Sequence, residues 1–403
     1  MRILHAPQAY APVRGGGEWH CQKVSEGLQA LDHEVRVVTG NVLFPSMYHA
    51  NEIRRAGKPF EVLGGVEVKR LRYGNWFSRF IPQLKTWPIP LRGKLRKWVR
   101  AGMGEQFEEN LEAEIESYKP DVVMAMAHTQ FNVQCMVNIR GRRKFPLVVV
   151  PLIHEHSPDC RGELMGRILR RADAIVANTP FEREWIADFF DIPIERIFVG
   201  LLGVDAPATA PEGARPKTIL YFGRKDPLKG IDGLIQAFAH SLDTHPDARL
   251  VIAGARWPGS EKIDQWIEDQ PEAVRARIDS YDNVSNEERE RILGSARCLV
   301  LPSEEESFGL VLIEAWARNT PVIALQQNVF RCIVDAGKNG LLSPVRDPEG
   351  MAKDPNWMLE HPEEAAAMGA AGRQKCLDVY TWESVARRYQ EAYEYAREHV
   401  RED

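Results

Sequence analysis

Short runs rich in Val, Ile and Leu alternate along the chain with longer stretches whose apolar residues recur at three- and four-residue spacing. Continuous apolar runs bounded by polar segments predict strands buried on both faces, and the periodic stretches between them predict crossover helices. In the first half the predicted strands are Arg2–His5, Val35–Thr39, Val66–Arg70, Val122–Met126, Leu147–Ile153, Ala174–Ala177 and Ile197–Gly200. A second series follows at Thr218–Phe222, Arg249–Ala253, Arg297–Leu301 and Pro321–Ala324. This alternation is the signature of α/β domains built on parallel sheets. Residues 206–216, rich in Pro and Ala with no apolar period, read as a linker. The expected organisation is two Rossmann-like, doubly wound domains, residues 1–205 and 217–380, facing across a cleft. The tail from Pro362 to Val400 has helical spacing interrupted at Val379-Tyr380-Thr381. Two readings of it remain open: one broken surface helix, or a final helix, residues 381–403, that packs back on the first domain.

In doubly wound sheets, ligands collect at the carboxyl ends of the strands, so chemistry is sought on the loops that follow them. Ser303–Ala324 reads as loop, helix and strand after an apolar run, with Glu306 and Glu314 eight residues apart. Helix rise makes that a separation of about 12 Å, comparable to a nucleotide-sugar from ribose to glycosyl ring. Ser303-x-x-Glu306 is also the pattern of a capping box, in which the glutamate serves only a backbone amide. Gly15-Gly16-Gly17 opens a helix after the first strand, where backbone amides and the helix dipole favour an anion. It is not a G-x-G-x-x-G fingerprint, and a flexible turn is the plain alternative. Gly223–Gly230 follows the first strand of the second series and carries Arg224 and Lys229, suited to a pyrophosphate. His128, His154 and His156 each follow a predicted strand and can exchange a proton or bind a sugar hydroxyl, or serve only as structural histidines. No H-E-x-x-H or Cys/His cluster occurs, so no metal is expected.

Composition adds to this picture. With 403 residues, 44% hydrophobic and 27% charged, the chain is a soluble two-domain protein rather than a fibrous or disordered one. Its net charge of −5 argues against general affinity for nucleic acid, and six cysteines without C-x-x-C pairing suggest reduced, buried thiols. Met1 leads directly into a strand, and no apolar run reaches the length of a membrane span, so a cytoplasmic protein is expected. Against that acidic background, Val68–Gly104 holds ten Lys or Arg and no Asp or Glu, interleaved with aromatic residues. Trp76, Arg92, Lys94, Arg96, Lys97 and Trp98 suit an anionic membrane surface, or an anionic acceptor.

The glycine loop, the Arg–Lys pair and the two glutamates together resemble a retaining glycosyltransferase of the GT-B fold, family 4, over nearly the whole chain. The likeness is strongest in Gly223–Gly230, in Ala296–Ala324 and at Tyr380-Thr381-Trp382. It implies transfer of a hexose-type sugar from a nucleotide-diphosphate sugar to an acceptor, without metal; taken with the basic stretch, the acceptor is expected to be lipid-linked or a cell-surface glycan precursor, met at the inner face of the membrane. It implies that Glu314 holds the donor ribose and Glu306 contacts the transferring sugar. Arg224 and Lys229, with the backbone at Gly15, Gly16, Gly309, Leu310 and Val311, would neutralise the diphosphate. His154 matches the family's acceptor-domain histidine, with His156 open as an alternative. Two departures, Asn319 in place of a glycine and Gln326–Arg331 in place of a glycine-rich loop, put the sugar's identity in doubt. The rival readings are a sugar-nucleotide epimerase on the same fold and a non-catalytic nucleotide-sugar-binding protein.

Overall fold

The structure, a computed structural model, describes residues 1–12, 15–43, 54–55, 58–71, 107–127, 131–209, 211, 213–343 and 348–401. It divides into two compact units, Met1–Leu201 with Trp382–Asp403, and Leu202–Thr381. In the first, β1 (Arg2–Pro7), β2 (Glu34–Gly40), β5 (Phe60–Leu63), β6 (Val66–Leu71), β7 (Val122–Met126), β8 (Leu147–Val150), β9 (Ala174–Ala177) and β10 (Ile197–Val199) form one sheet. Their order is β10-β9-β8-β7-β1-β2-β6-β5, parallel except for the edge strand β5. A separate antiparallel pair joins β3 (Val42–Leu43) to β4 (Arg54–Arg55). Because successive strand residues point to opposite faces, Ile3, Val35, Val122 and Val148 fill one core while Leu4, Val123 and Val149 fill the other.

The break at Tyr380-Thr381 separates helix Pro362–Val379, in the second unit, from helix Trp382–Glu398, which packs on helix Gly16–Ala30 and on β9 and β10. Gly27 makes that approach possible, since a Cβ there would stand 2.9 Å from Ala386 Cβ. Buried polar bonds set the register of the final helix. His20 Nε2 lies 2.7 Å from the Tyr389 hydroxyl. Ser25 donates to the Cys21 carbonyl, so His5 Nδ1 donates to Ser25 Oγ, leaving Nε2 to accept from the Tyr393 hydroxyl at 2.9 Å.

In the second unit, β11 (Thr218–Phe222), β12 (Arg249–Gly254), β13 (Ile278–Asp282), β14 (Cys298–Leu301), β15 (Val322–Leu325) and β16 (Gly340–Ser343) form an all-parallel sheet ordered β13-β12-β11-β14-β15-β16. The edge strands β13 and β16 were not predicted, because IDSYD and GLLS carry no continuous apolar run. Residues 206–209 and 213–216 belong to this unit. Arg373 Nη2 donates to the Pro207 carbonyl at 2.7 Å, and Arg215 donates to the carbonyls of Ala296 and Arg318 at 2.9 and 2.6 Å.

Two cations of the basic stretch have structural partners: Lys69 pairs with Glu114, and Arg70 is buried against Glu61 at 2.6 Å. The others, together with Trp76, Arg92, Lys94, Arg96, Lys97, Trp98 and also His128, lie outside the described residues.

Candidate active site

In the second sheet β11 is flanked by β12 on one side and β14 on the other, so the strand order reverses between β11 and β14. Loops leaving neighbouring strands at such a point diverge and leave a crevice. The two loops here are Gly223–Gly230 and Ser303–Gly309, the segments that carry Arg224, Lys229 and Glu306.

Lys229 and Glu306 are brought together. The ammonium lies 2.9 Å from Glu306 Oε1 and 3.0 Å from the Glu305 carbonyl. Gly230 fixes this approach: it is left-handed at φ 71°, and a Cβ there would stand 2.4 Å from the Pro302 carbonyl oxygen. Glu306 therefore does not close a capping box with Ser303. The following helix begins only at Leu310, with left-handed Gly309 (φ 86°) as its N-cap. That start also shortens the helical part of the Glu306–Glu314 interval to its second half, so helix rise alone does not set their separation. Leu310 and Val311 are half-buried in the first turn.

Glu314 is buried, and burial pushes its carboxyl above the ordinary carboxylate range while Arg289 and Arg318 oppose the shift. Its Oε1 pairs with the Arg289 guanidinium. Arg318 donates to the Glu314 carbonyl at 2.7 Å and forms a two-pronged pair with Glu290 at 2.6 and 2.5 Å. Arg289 and Glu290 escaped the sequence reading. The signal for them was present in Ser285-x-x-Glu288, a capping box that does form and starts helix Asn286–Ser295.

Arg224 is exposed, its guanidinium carbon 4.4 Å from the centroid of the Trp257 ring. Its neighbour Lys225 is fully buried, with Nζ 2.7 Å from Ser280 Oγ and paired with Asp282. Asn319 is left-handed at φ 57°, a conformation that Asn tolerates. Its carbonyl packs where a Cβ on Gly369 would stand, at 2.1 Å, in the turn that follows helix Leu310–Trp316.

In the first unit, Gly15 is the extended N-cap of helix Gly16–Ala30, with the Glu18 carboxylate folded over it. At Gly16 a Cβ would meet nothing within 4 Å, so its backbone is open to approach. His154 is half-buried; its carbonyl accepts the Ser157 N–H at 2.9 Å. His156 is exposed, 3.2 Å from Glu155. Strand β8 stops at Val150 rather than Ile153, and Leu152 turns left-handed at φ 54°. Glu182 anchors the turn by accepting the N–H groups of Ile153 and Asn178 at 2.8 and 2.6 Å. Burial pushes its carboxyl up to about 7. Sequence reasoning overlooked it, although a signal stood in Thr179-x-x-Glu182, where Thr179 Oγ1 accepts the Glu182 N–H at 3.0 Å and caps helix Pro180–Phe190.

A model of glycosyltransferase family 4 matches residues 14–206, and one of glycosyl transferases group 1 matches residues 207–375. The glycogen synthase of Mycobacterium tuberculosis (strain CDC 1551 / Oshkosh) is 27% identical over 411 aligned positions, which cover 96% of this chain and 92% of the relative. Among solved structures, sucrose-phosphate synthase from Thermosynechococcus elongatus has a TM-score of 0.77 at 20% identity over 98% of each chain. Anabaena Alr3699/HepE, solved in complex with UDP-glucose, has a TM-score of 0.73 at 15% identity over 98% of this chain and 100% of that one. Both halves of the sequence being matched by models of one enzyme class, on a fold shared almost end to end, the chain belongs to the group 1 glycosyl transferases, family 4, and is a glycosyltransferase of the GT-B fold.

Proposed function

We propose that the enzyme moves a hexose-type sugar from a nucleotide-diphosphate sugar to a hydroxyl acceptor with retention at the anomeric carbon. The observation that carries the reading is the Lys229–Glu306 pair at the crevice between β11 and β14, with Arg224 on the same loop as Lys229. A lysine ammonium has three N–H donors. Glu306 and the Glu305 carbonyl take two, leaving one for a phosphate oxygen. Arg224 offers a fork that chelates two more oxygens. As the bond from C1 to the phosphate oxygen breaks, charge develops on the leaving diphosphate, and these cations stabilise it. The acceptor oxygen attacks C1 from the side the diphosphate leaves, and its proton passes to a leaving phosphate oxygen. The new C1–O bond keeps the original configuration, and positioning takes the place of a protein nucleophile.

On this reading Glu306 faces the sugar, Glu314 binds the donor ribose, and the backbone at Gly309, Leu310 and Val311 meets the diphosphate. The second unit takes the donor. The first unit takes the acceptor, with His154 bonding a hydroxyl and Gly15-Gly16 offering backbone amides. The basic, aromatic stretch beyond Leu71 supports an acceptor presented at an anionic membrane surface, lipid-linked or a glycan precursor.

Thermal-shift screening against UDP-, GDP- and ADP-sugars identifies the donor, because a ligand of the folded state raises the midpoint. NMR of the product then reports the anomeric configuration, and an inverted product refutes retention. Release of an altered sugar without acceptor assigns an epimerase. Donor binding with wild type, Arg224→Ala and Glu306→Ala equally inert across an acceptor panel assigns a binding protein.

A further inference from the structure

We propose that Trp257 is a positioning residue for Arg224, holding its guanidinium where the leaving diphosphate forms; this rests on the donor reading of Arg224 above. An exposed arginine gives up about 2 kcal/mol of rotamer freedom when it is fixed in one place. Arg224 is exposed but not unsupported, because its guanidinium lies over the indole of Trp257 at 4.4 Å. A stacked guanidinium keeps its N–H edge outward, so the stack orders the group without using the donors a phosphate needs.

The stack is a consequence of how three strand ends are joined. Gly254, at φ 148°, leaves no room for a side chain, since a Cβ would stand 1.7 Å from the Gly223 carbonyl oxygen. The loops after β11 and β12 therefore run side by side. Gly223 N–H donates to Ala253 at 3.0 Å, Lys225 N–H donates to Ala255 at 2.9 Å, and Lys225 bridges to Arg256 as in a parallel ladder. Ser260 closes the frame: its Oγ accepts the Trp257 N–H at 2.7 Å and lies 2.7 Å from the Lys225 carbonyl. Lys225 points inward to Ser280 and to Asp282 at the end of β13, while Arg224, the residue before it, is exposed and lies over Trp257. The buried lysine and the half-buried tryptophan thus fix one arginine from two directions.

The test measures dissociation constants of the full-length protein for UDP, GDP and ADP, then follows the tightest of them and its monophosphate in the variants. Trp257→Ala should weaken the diphosphate about 3- to 10-fold, the range of a cation–π contact, and leave the monophosphate within about twofold. Trp257→Phe should recover most of the loss, and the Arg224→Ala/Trp257→Ala double variant should bind no more weakly than Arg224→Ala alone. If Arg224→Ala weakens the diphosphate but Trp257→Ala does not, the positioning role is overturned while the donor reading stands. Equal weakening of both nucleotides by Trp257→Ala, with no rescue by phenylalanine, also overturns it, since that is the mark of general support of the fold. If no diphosphate binds, or Arg224→Ala binds as wild type, the donor reading itself falls.

Discussion

Acidification should destabilise the first unit through His5 and His20. Both are fully buried in the bond network that holds the C-terminal helix, and burial pushes both imidazoles down to about 3, His20 adding repulsion at His5. A histidine whose folded pKa lies below its ordinary value stabilises fully above about 6.5, and that contribution is lost as pH falls towards 3, because only the unfolded chain takes up the proton. From about pH 7.5 to about pH 5 each histidine then costs about 2 kcal/mol, or about 4 kcal/mol for the two. Glu182 acts in the opposite sense, its folded pKa of about 7 lying above its ordinary value of 4.5. Its contribution is fully present below the ordinary value and lost as pH rises through 7, so the same acidification returns about 2 kcal/mol. The net loss in the wild type is about 2 kcal/mol, and removing the opposing group with Glu182→Gln should double the slope to about 4 kcal/mol. Calorimetry across this pH range suits the measurement, because the transitions of two units need not coincide. A His5→Gln/His20→Gln variant with the wild-type pH slope would refute the reasoning, as would a Glu182→Gln slope no steeper than that of wild type.

Glu306→Gln should lower kcat about 100-fold or more with little change in donor KM, whereas Glu314→Ala should mainly raise donor KM, about tenfold. Steady-state kinetics on both variants checks the split, and equal effects on both parameters would count against it. Gly230→Ala forces a Cβ against the Pro302 carbonyl in left-handed backbone. A cost of about 1–3 kcal/mol should lower the second unit's Tm by several degrees and impair Lys229; an unchanged melting curve would contradict the close approach. Flotation on vesicles containing anionic lipid should weaken with salt and vanish when Arg92, Lys94, Arg96 and Lys97 are reversed to Glu. Flotation that survives the reversal sinks the membrane proposal.

Strands buried on both faces, such as Val122–Met126 and Thr218–Phe222, were legible because burial on two sides demands an unbroken apolar run. The edge strands Phe60–Leu63, Ile278–Asp282 and Gly340–Ser343 were not, because an edge is partly solvated and its sequence need not be apolar throughout. The same limit acted at the site. Ser285-x-x-Glu288 and Ser303-x-x-Glu306 share one pattern, yet only the first caps a helix, since the second helix waits for the left-handed turn at Gly309.

By itself the sequence determined the alternation of strands and helices, the two α/β halves, the loops on which Arg224, Lys229 and Glu306 lie, and the helix that carries Glu314, because each follows from local spacing and residue chemistry. Tertiary structure alone decided who meets whom. Lys229 reaches Glu306 across 77 residues of chain, Arg289 pairs with Glu314, and Trp257 receives Arg224. It also decided where the tail goes, through His5 with Tyr393 and His20 with Tyr389. These partners are far apart in the chain, and their distances are set by sheet order and by the close approach of Gly223, Gly230 and Gly254, which no local pattern encodes.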